Sequence, residues 1–118
     1  MRIYCDSSVK EACLVVEGQE PKIVSYPEAV TVNVGEYRAV LLALEEANYQ
    51  HLVKATILTD SLLVVNQVNG VWRCKKKHLL PYRDKVRDIL LHMSFVPARK
   101  YSLNWIPREE NLAGKVLE

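Results

Sequence analysis

Three acids in this 118-residue chain occupy places unlike those of its other carboxylates. Asp6 follows the apolar run Ile3-Tyr4-Cys5. Glu36 opens a long amphipathic stretch, and Asp60 divides Ala55–Thr59 from Leu62–Val65. Each has an ordinary structural explanation. Asp6, beside Ser7 and Ser8, suits a turn closed onto its own backbone. Glu36 suits the positive end of a helix dipole, in the first turn. Asp60 suits an N-cap, worth ~1 kcal/mol. Brought to one corner, they would do different chemistry. Three such carboxylates repel unless cations neutralise them, and hard oxygen donors suit Mg²⁺ or Mn²⁺ rather than zinc. Two such ions, ~3.5–4 Å apart, can activate a water and stabilise a leaving oxygen in phosphodiester hydrolysis.

Whether the acids meet depends on the elements that carry them. "RIYC", "ACLVVE" and "KIVSY" suit strands, and "GQEP" between the last two signals a turn. From Asn33 the period changes. Val40, Ala43, Leu44 and Ala47 form a helical stripe, with Glu45 and Glu46 facing away. "ATILT" suits a buried strand, and "DSLLVVNQV" a helix stopped by Asn69-Gly70. Leu79, Tyr82, Val86, Ile89, Leu90 and Met93 line one side of a third helix, with Pro81 in its first turn. "YSLNWI" alternates as a strand, and "REENLAGKV" starts a short last helix. The order β-β-β-α-β-α-α-β-α predicts an α/β fold, a mixed sheet with helices packed on it. If the first and fourth strands are neighbours, Asp6 and Asp60 emerge at the same end of the sheet. A helix starting there brings Glu36 to them.

Charge is unevenly spread. Residues 72–100 hold nine Lys/Arg against two acids, whereas residues 1–71 hold five against nine. A basic face fits a polyanion and clustered acids fit a cation. The plain alternative for "RCKKKH" is a solvated helix start. No apolar run approaches the ~20 residues of a membrane span. The unpaired set Cys5, Cys13 and Cys74 suits a reduced, cytoplasmic protein. His51, His78 and His92 stand apart from the cysteines and from one another, as surface or helix residues do. Nothing in the pattern requires an obligate protein partner.

"IYCDSS", "TVNVGEYRAVLLALEEA", "ILTDSLLVVNQVNGVWRCKKKHLLPYRDKVRDIL" and "NWIPREENLAGKV" occur in the order of motifs in the ribonuclease H family. The chain resembles its compact type I bacterial and archaeal members over nearly its whole length. The resemblance implies a five-stranded ribonuclease H-like sheet and a single domain over residues 1–118, its last helix short or truncated. It also implies a metal-dependent endonuclease that cuts the RNA strand of RNA–DNA hybrids by two-metal hydrolysis. Asp6, Glu36 and Asp60 would then be catalytic, holding Mg²⁺ or Mn²⁺. Asn33 would read the hybrid's minor groove, where the 2′-hydroxyl marks RNA. Ser8, Ser61 and Gln67 would lie near substrate, and Trp72, Arg73, Lys75, Lys76 and Lys77 would grip the DNA strand.

The chain departs from that pattern in places. The family's fourth carboxylate, in the last helix, falls on Lys115 or on Gly114, depending on the alignment. Ser7 replaces a glycine, Val32 one of two paired asparagines, and no histidine follows Tyr101. Glu109, Glu110 and Asn111 are candidates to reach the site, though capping and first-turn charge suit them better. The alternative reading is therefore a ribonuclease H fold that binds nucleic acid without cutting it. A resolvase- or transposase-like DNase is a third, disfavoured by the basic region around Trp72.

Overall fold

The computed structural model describes residues 1–94 and 99–118. β1 (Arg2–Ser7), β2 (Glu11–Val16) and β3 (Lys22–Ser25) form an antiparallel meander. α1 (Val32–Tyr49), β4 (Lys54–Thr59) and α2 (Leu62–Val68) follow, then a 3-10 turn (Lys77–Leu79) leading into α3 (Leu80–Ser94). β5 (Lys100–Trp105), a second 3-10 turn (Arg108–Glu110) and α4 (Leu112–Leu117) end the chain. The sheet order is β3-β2-β1-β4-β5, with β4 parallel to both β1 and β5. This is the expected α/β architecture, with a mixed five-stranded sheet carrying four helices among the described residues.

Strand alternation divides the core between two faces. Ile3, Cys5, Ala12, Leu14, Val16, Ala55, Ile57 and Leu103 bury on one, against Tyr37, Val40 and Leu44 of α1, Val64 of α2 and Val86 of α3. The other face is covered more thinly. There Tyr4, Cys13 and Val15 meet Ala113 and Leu117 of α4. β2 is thus buried on both sides, which accounts for its unbroken apolar run. β3, at the edge, is exposed throughout. Among the described residues no helix is long and apolar enough to cross a membrane.

Element boundaries correct three expectations. α1 starts at Val32 behind a Thr31 cap, so Glu36 lies beyond its first turn, which contains no acid. α2 is capped by Ser61, whose hydroxyl accepts from Val64 N at 3.3 Å, and not by Asp60. Residues 71–76 are irregular, so the basic segment is a loop and only Lys77 enters a helical turn. The loop is held from inside. Cys74 is buried, Trp72 N donates to Asn66 O at 3.0 Å, and Cys74 Sγ donates to Lys76 O at 3.7 Å.

Candidate metal centre

The parallel pairing of β1 with β4 sets Tyr4 opposite Leu58. Two residues further along each strand, Asp6 and Asp60 come level where the strands end. α1 delivers Glu36 to the same corner, and Gly35 lets it approach. A Cβ at Gly35 would lie 2.5 Å from Ser7 Oγ. Ser7 is locked there, its hydroxyl 2.7 Å from Tyr26 Oη, which donates in turn to Gly35 O at 3.3 Å. The side chain that replaces the family's glycine therefore turns inward, against α1. One carboxylate oxygen each from Asp6, Glu36 and Asp60 lies within 4.8 Å of the others.

The ordinary explanations for these acids give way to other residues. Ser8 closes the turn after β1, its hydroxyl accepting from Lys10 N at 3.2 Å and Glu11 N at 3.1 Å. Ser61 caps α2. Glu36 is 8% exposed and too far along α1 for a first-turn role. Asp6 accepts from the backbone of the adjacent Ser7, and neither Glu36 nor Asp60 caps a helix.

Their company is costly. Burial, then the charges of Asp6 and Asp60, push the Glu36 carboxyl from 4.5 up to about 9. Burial and then Asp60 raise Asp6 as well. Arg108 offsets part of both shifts, but no described Lys, Arg or His is within ion-pair distance of the cluster. Glu36 Oε2 is buried without a hydrogen-bond partner. An orphaned oxygen among three hard donors fits Mg²⁺ or Mn²⁺, which would supply the missing neutralisation.

α4 closes the corner. A Cβ at Gly114 would stand 3.1 Å from Asp6 Oδ2, so Gly114, not Lys115, is the residue that faces the carboxylates. Lys115 instead lines a groove with Arg2, Tyr4, Glu109 and Glu110 on the thinly covered sheet face. Asn111 is fully buried and does more than cap. Its Oδ1 accepts from Ala113 N at 3.2 Å, while Nδ2 donates to Cys5 O at 3.0 Å and Asp60 Oδ2 at 3.2 Å. An Asn ahead of a short apolar run signals the cap; nothing in the sequence signals where its other atoms point.

The substrate-side residues divide into two groups. Gln67, Trp72, Arg73, Lys75 and Lys76 line a concavity of about 460 Å³ with Leu63 and Val71. Trp72 and the basic residues are exposed, and Lys77 is exposed just beyond them. Gln67 belongs to the floor, 4% exposed, its Oε1 accepting from Tyr37 Oη at 2.6 Å. Ser8, Asn33 and Ser61 lie outside this concavity, each within three residues of a carboxylate.

The family model described as reverse transcriptase-like matches residues 11–117. The bifunctional protein Rv2228c of Mycobacterium tuberculosis is 32% identical over 81 residues, 69% of this chain and 21% of that protein. The chain thus spans about a fifth of the curated relatives it matches. RNase H1 from the halophilic archaeon Halobacterium salinarum NRC-1 superposes with a TM-score of 0.78 at 24% identity, over 99% of this chain and 94% of that one. LC11-RNase H1, solved in complex with an RNA/DNA hybrid, superposes at 0.73 with 26% identity, over 99% of each chain.

Proposed function

The chain belongs to the reverse transcriptase-like family of ribonuclease H type, and from that premise we propose that it is an endonuclease hydrolysing the RNA strand of RNA–DNA hybrids. The observation that carries this reading is the convergence of Asp6, Glu36 and Asp60 within 4.8 Å, with Glu36 Oε2 left unpartnered. These three would hold Mg²⁺ or Mn²⁺. A divalent ion so held polarises a phosphodiester oxygen and makes water a better nucleophile at neutral pH.

The remaining roles fall to the chain's own groups. Trp72 offers a stacking surface, and Arg73, Lys75, Lys76 and Lys77 offer charge to the DNA phosphates. Asn33 would meet the 2′-hydroxyl that distinguishes RNA from DNA. Ser8 and Ser61, each with a hydroxyl already used locally, would contribute from the rim of the corner, and Gln67 from the floor of the concavity. A two-ion version of the mechanism is open to a specific objection. With glycine at 114, α4 adds no fourth carboxylate beside Asp6. That observation favours, as a second reading, a module that binds hybrids without cutting.

Cleavage of an end-labelled RNA–DNA hybrid, in Mg²⁺ and separately in Mn²⁺, decides between them. The expected result is metal-dependent cutting of the RNA strand by the native protein and none by Asp60→Asn. Tight hybrid binding without cutting in either metal would establish the second reading. Cutting of duplex DNA that lacks ribose would overturn both.

A further inference from the structure

Asn111 is a fully buried polar side chain that the proposed chemistry leaves unused. It is 106 residues from Cys5 and 51 from Asp60, yet it hydrogen-bonds to both. An Asn amide has two N–H donors and a carbonyl oxygen. Here both donors and the oxygen are engaged, by Cys5 O, Asp60 Oδ2 and Ala113 N. The reverse orientation would set oxygen against oxygen twice, so the network itself fixes which way the amide faces. Gly114 favours the arrangement by letting α4 lie close against Asp6, where a Cβ would stand 3.1 Å from Oδ2.

Asp60 has correspondingly little else to hold it. It caps no helix, and among the described residues no other side chain donates to its carboxylate. A carboxylate on a strand end rotates about its side-chain torsions unless something fixes it. One neutral donor does so without adding charge to a corner that already has three acids.

We propose that Asn111 is a positioning residue for this site, its buried amide holding the Asp60 carboxylate toward Asp6 and Glu36 and thereby setting affinity for a divalent cation. This rests on the reading of the corner as a cation site. Partners that orient a metal-binding side chain typically change metal affinity about 10–100-fold when removed. Asn111→Ser is the informative variant, because serine caps a helix as well as asparagine but is too short to reach Asp60.

The test is a Mn²⁺ titration, followed by electron paramagnetic resonance, of the native chain, Asn111→Ser and Asp60→Asn, with folding checked by circular dichroism. The expected result is binding by the native chain, weakened about tenfold or more in folded Asn111→Ser. Equal affinity in the two would overturn the positioning role and leave the cation site standing. No binding by the native chain, matching Asp60→Asn, would overturn the cation reading and this role with it. If Asn111→Ser does not fold, the Asn111 side-chain NH₂ signals of the native protein decide. They should shift on Mg²⁺ addition, and should not do so in Asp60→Asn. No shift, while the backbone amides of Asp6, Glu36 and Asp60 respond, would overturn the proposal.

Discussion

The carboxylate corner and the basic loop differ in nearly every physical respect. The corner gathers residues 6, 36, 60 and 111 from β1, α1, the end of β4 and the α4 cap, with Glu36 and Asn111 buried and Asp6 and Asp60 half-buried. The loop is one continuous stretch, residues 71–77, whose cations project into water around the buried Cys74. Chemistry on a phosphodiester needs atoms held in one place, whereas holding a polyanion needs only charge within reach. On the proposed function, position would come from long-range packing, and affinity from local composition.

The sharpest way to break that contrast is to exchange the consequences. Asp6→Asn should lower cleavage about a thousandfold or more, the several kcal/mol a bound cation supplies to the reaction. Hybrid affinity should stay the same or improve, since a negative charge near phosphate is lost. Filter binding beside single-turnover cleavage measures both. A parallel loss of affinity would mean that the corner also grips.

Stability should separate the regions next. Without cation, folded Glu36 keeps its proton up to about pH 9, while the unfolded chain releases it near its ordinary 4.5. Between those values the folded state binds more protons, so stability falls as pH rises through that window. Mg²⁺ favours the ionised form and should restore it, strongly at pH 8.5 and hardly at pH 5. Urea unfolding with chelator or with Mg²⁺ would record this. Glu36→Gln should flatten the pH slope and remove the Mg²⁺ effect. Loop variants should change neither.

Smaller again is the effect of closing the gap between β1 and α1. Gly35→Ala puts a methyl group 2.5 Å from Ser7 Oγ, an overpacking worth about 1–3 kcal/mol. Ser7→Gly in the same chain should recover most of it, because the shortest contact needs both side chains and only Ser8 O, 3.2 Å away, remains close. Additive losses in urea midpoints would show that the corner tolerates movement. The approach of Glu36 to Asp6 would then not depend on this contact.

These cases also show where the sequence was legible. Strand and helix periods survive in an isolated chain because each element buries a face, so the sheet and its helix order could be expected from Ile3, Ala55–Thr59 or the Val40–Ala47 stripe. Three carboxylates at element boundaries were visible for the same reason. Ser61 as the cap of α2 was not, because Asp60 and Ser61 are both good caps and only the turn geometry chooses between them. The loop form of residues 71–76 was hidden by helix-compatible lysines. Ser7 with Gly35, and Asn111 with Asp60, are pairings between distant segments, and no local pattern marks them.

The basic loop supplies the mildest prediction. Lys75 and Lys76 are exposed and make no salt bridge with any described residue, so Lys75→Ala with Lys76→Ala should leave stability in urea within about 0.5 kcal/mol of native. Each cation that meets a phosphate releases condensed counterions on binding. Its removal should therefore reduce the slope of log affinity against log salt by about 0.9. The double variant should bind a hybrid more weakly at low salt, and the difference should shrink as salt rises. Single-turnover cleavage at saturating protein should barely change, because the carboxylates keep their places. An unchanged salt slope would mean the lysines face solvent in the complex, leaving Trp72 and Arg73 to hold the strand. A slope that falls together with the single-turnover rate would mean that loop and corner act as one unit.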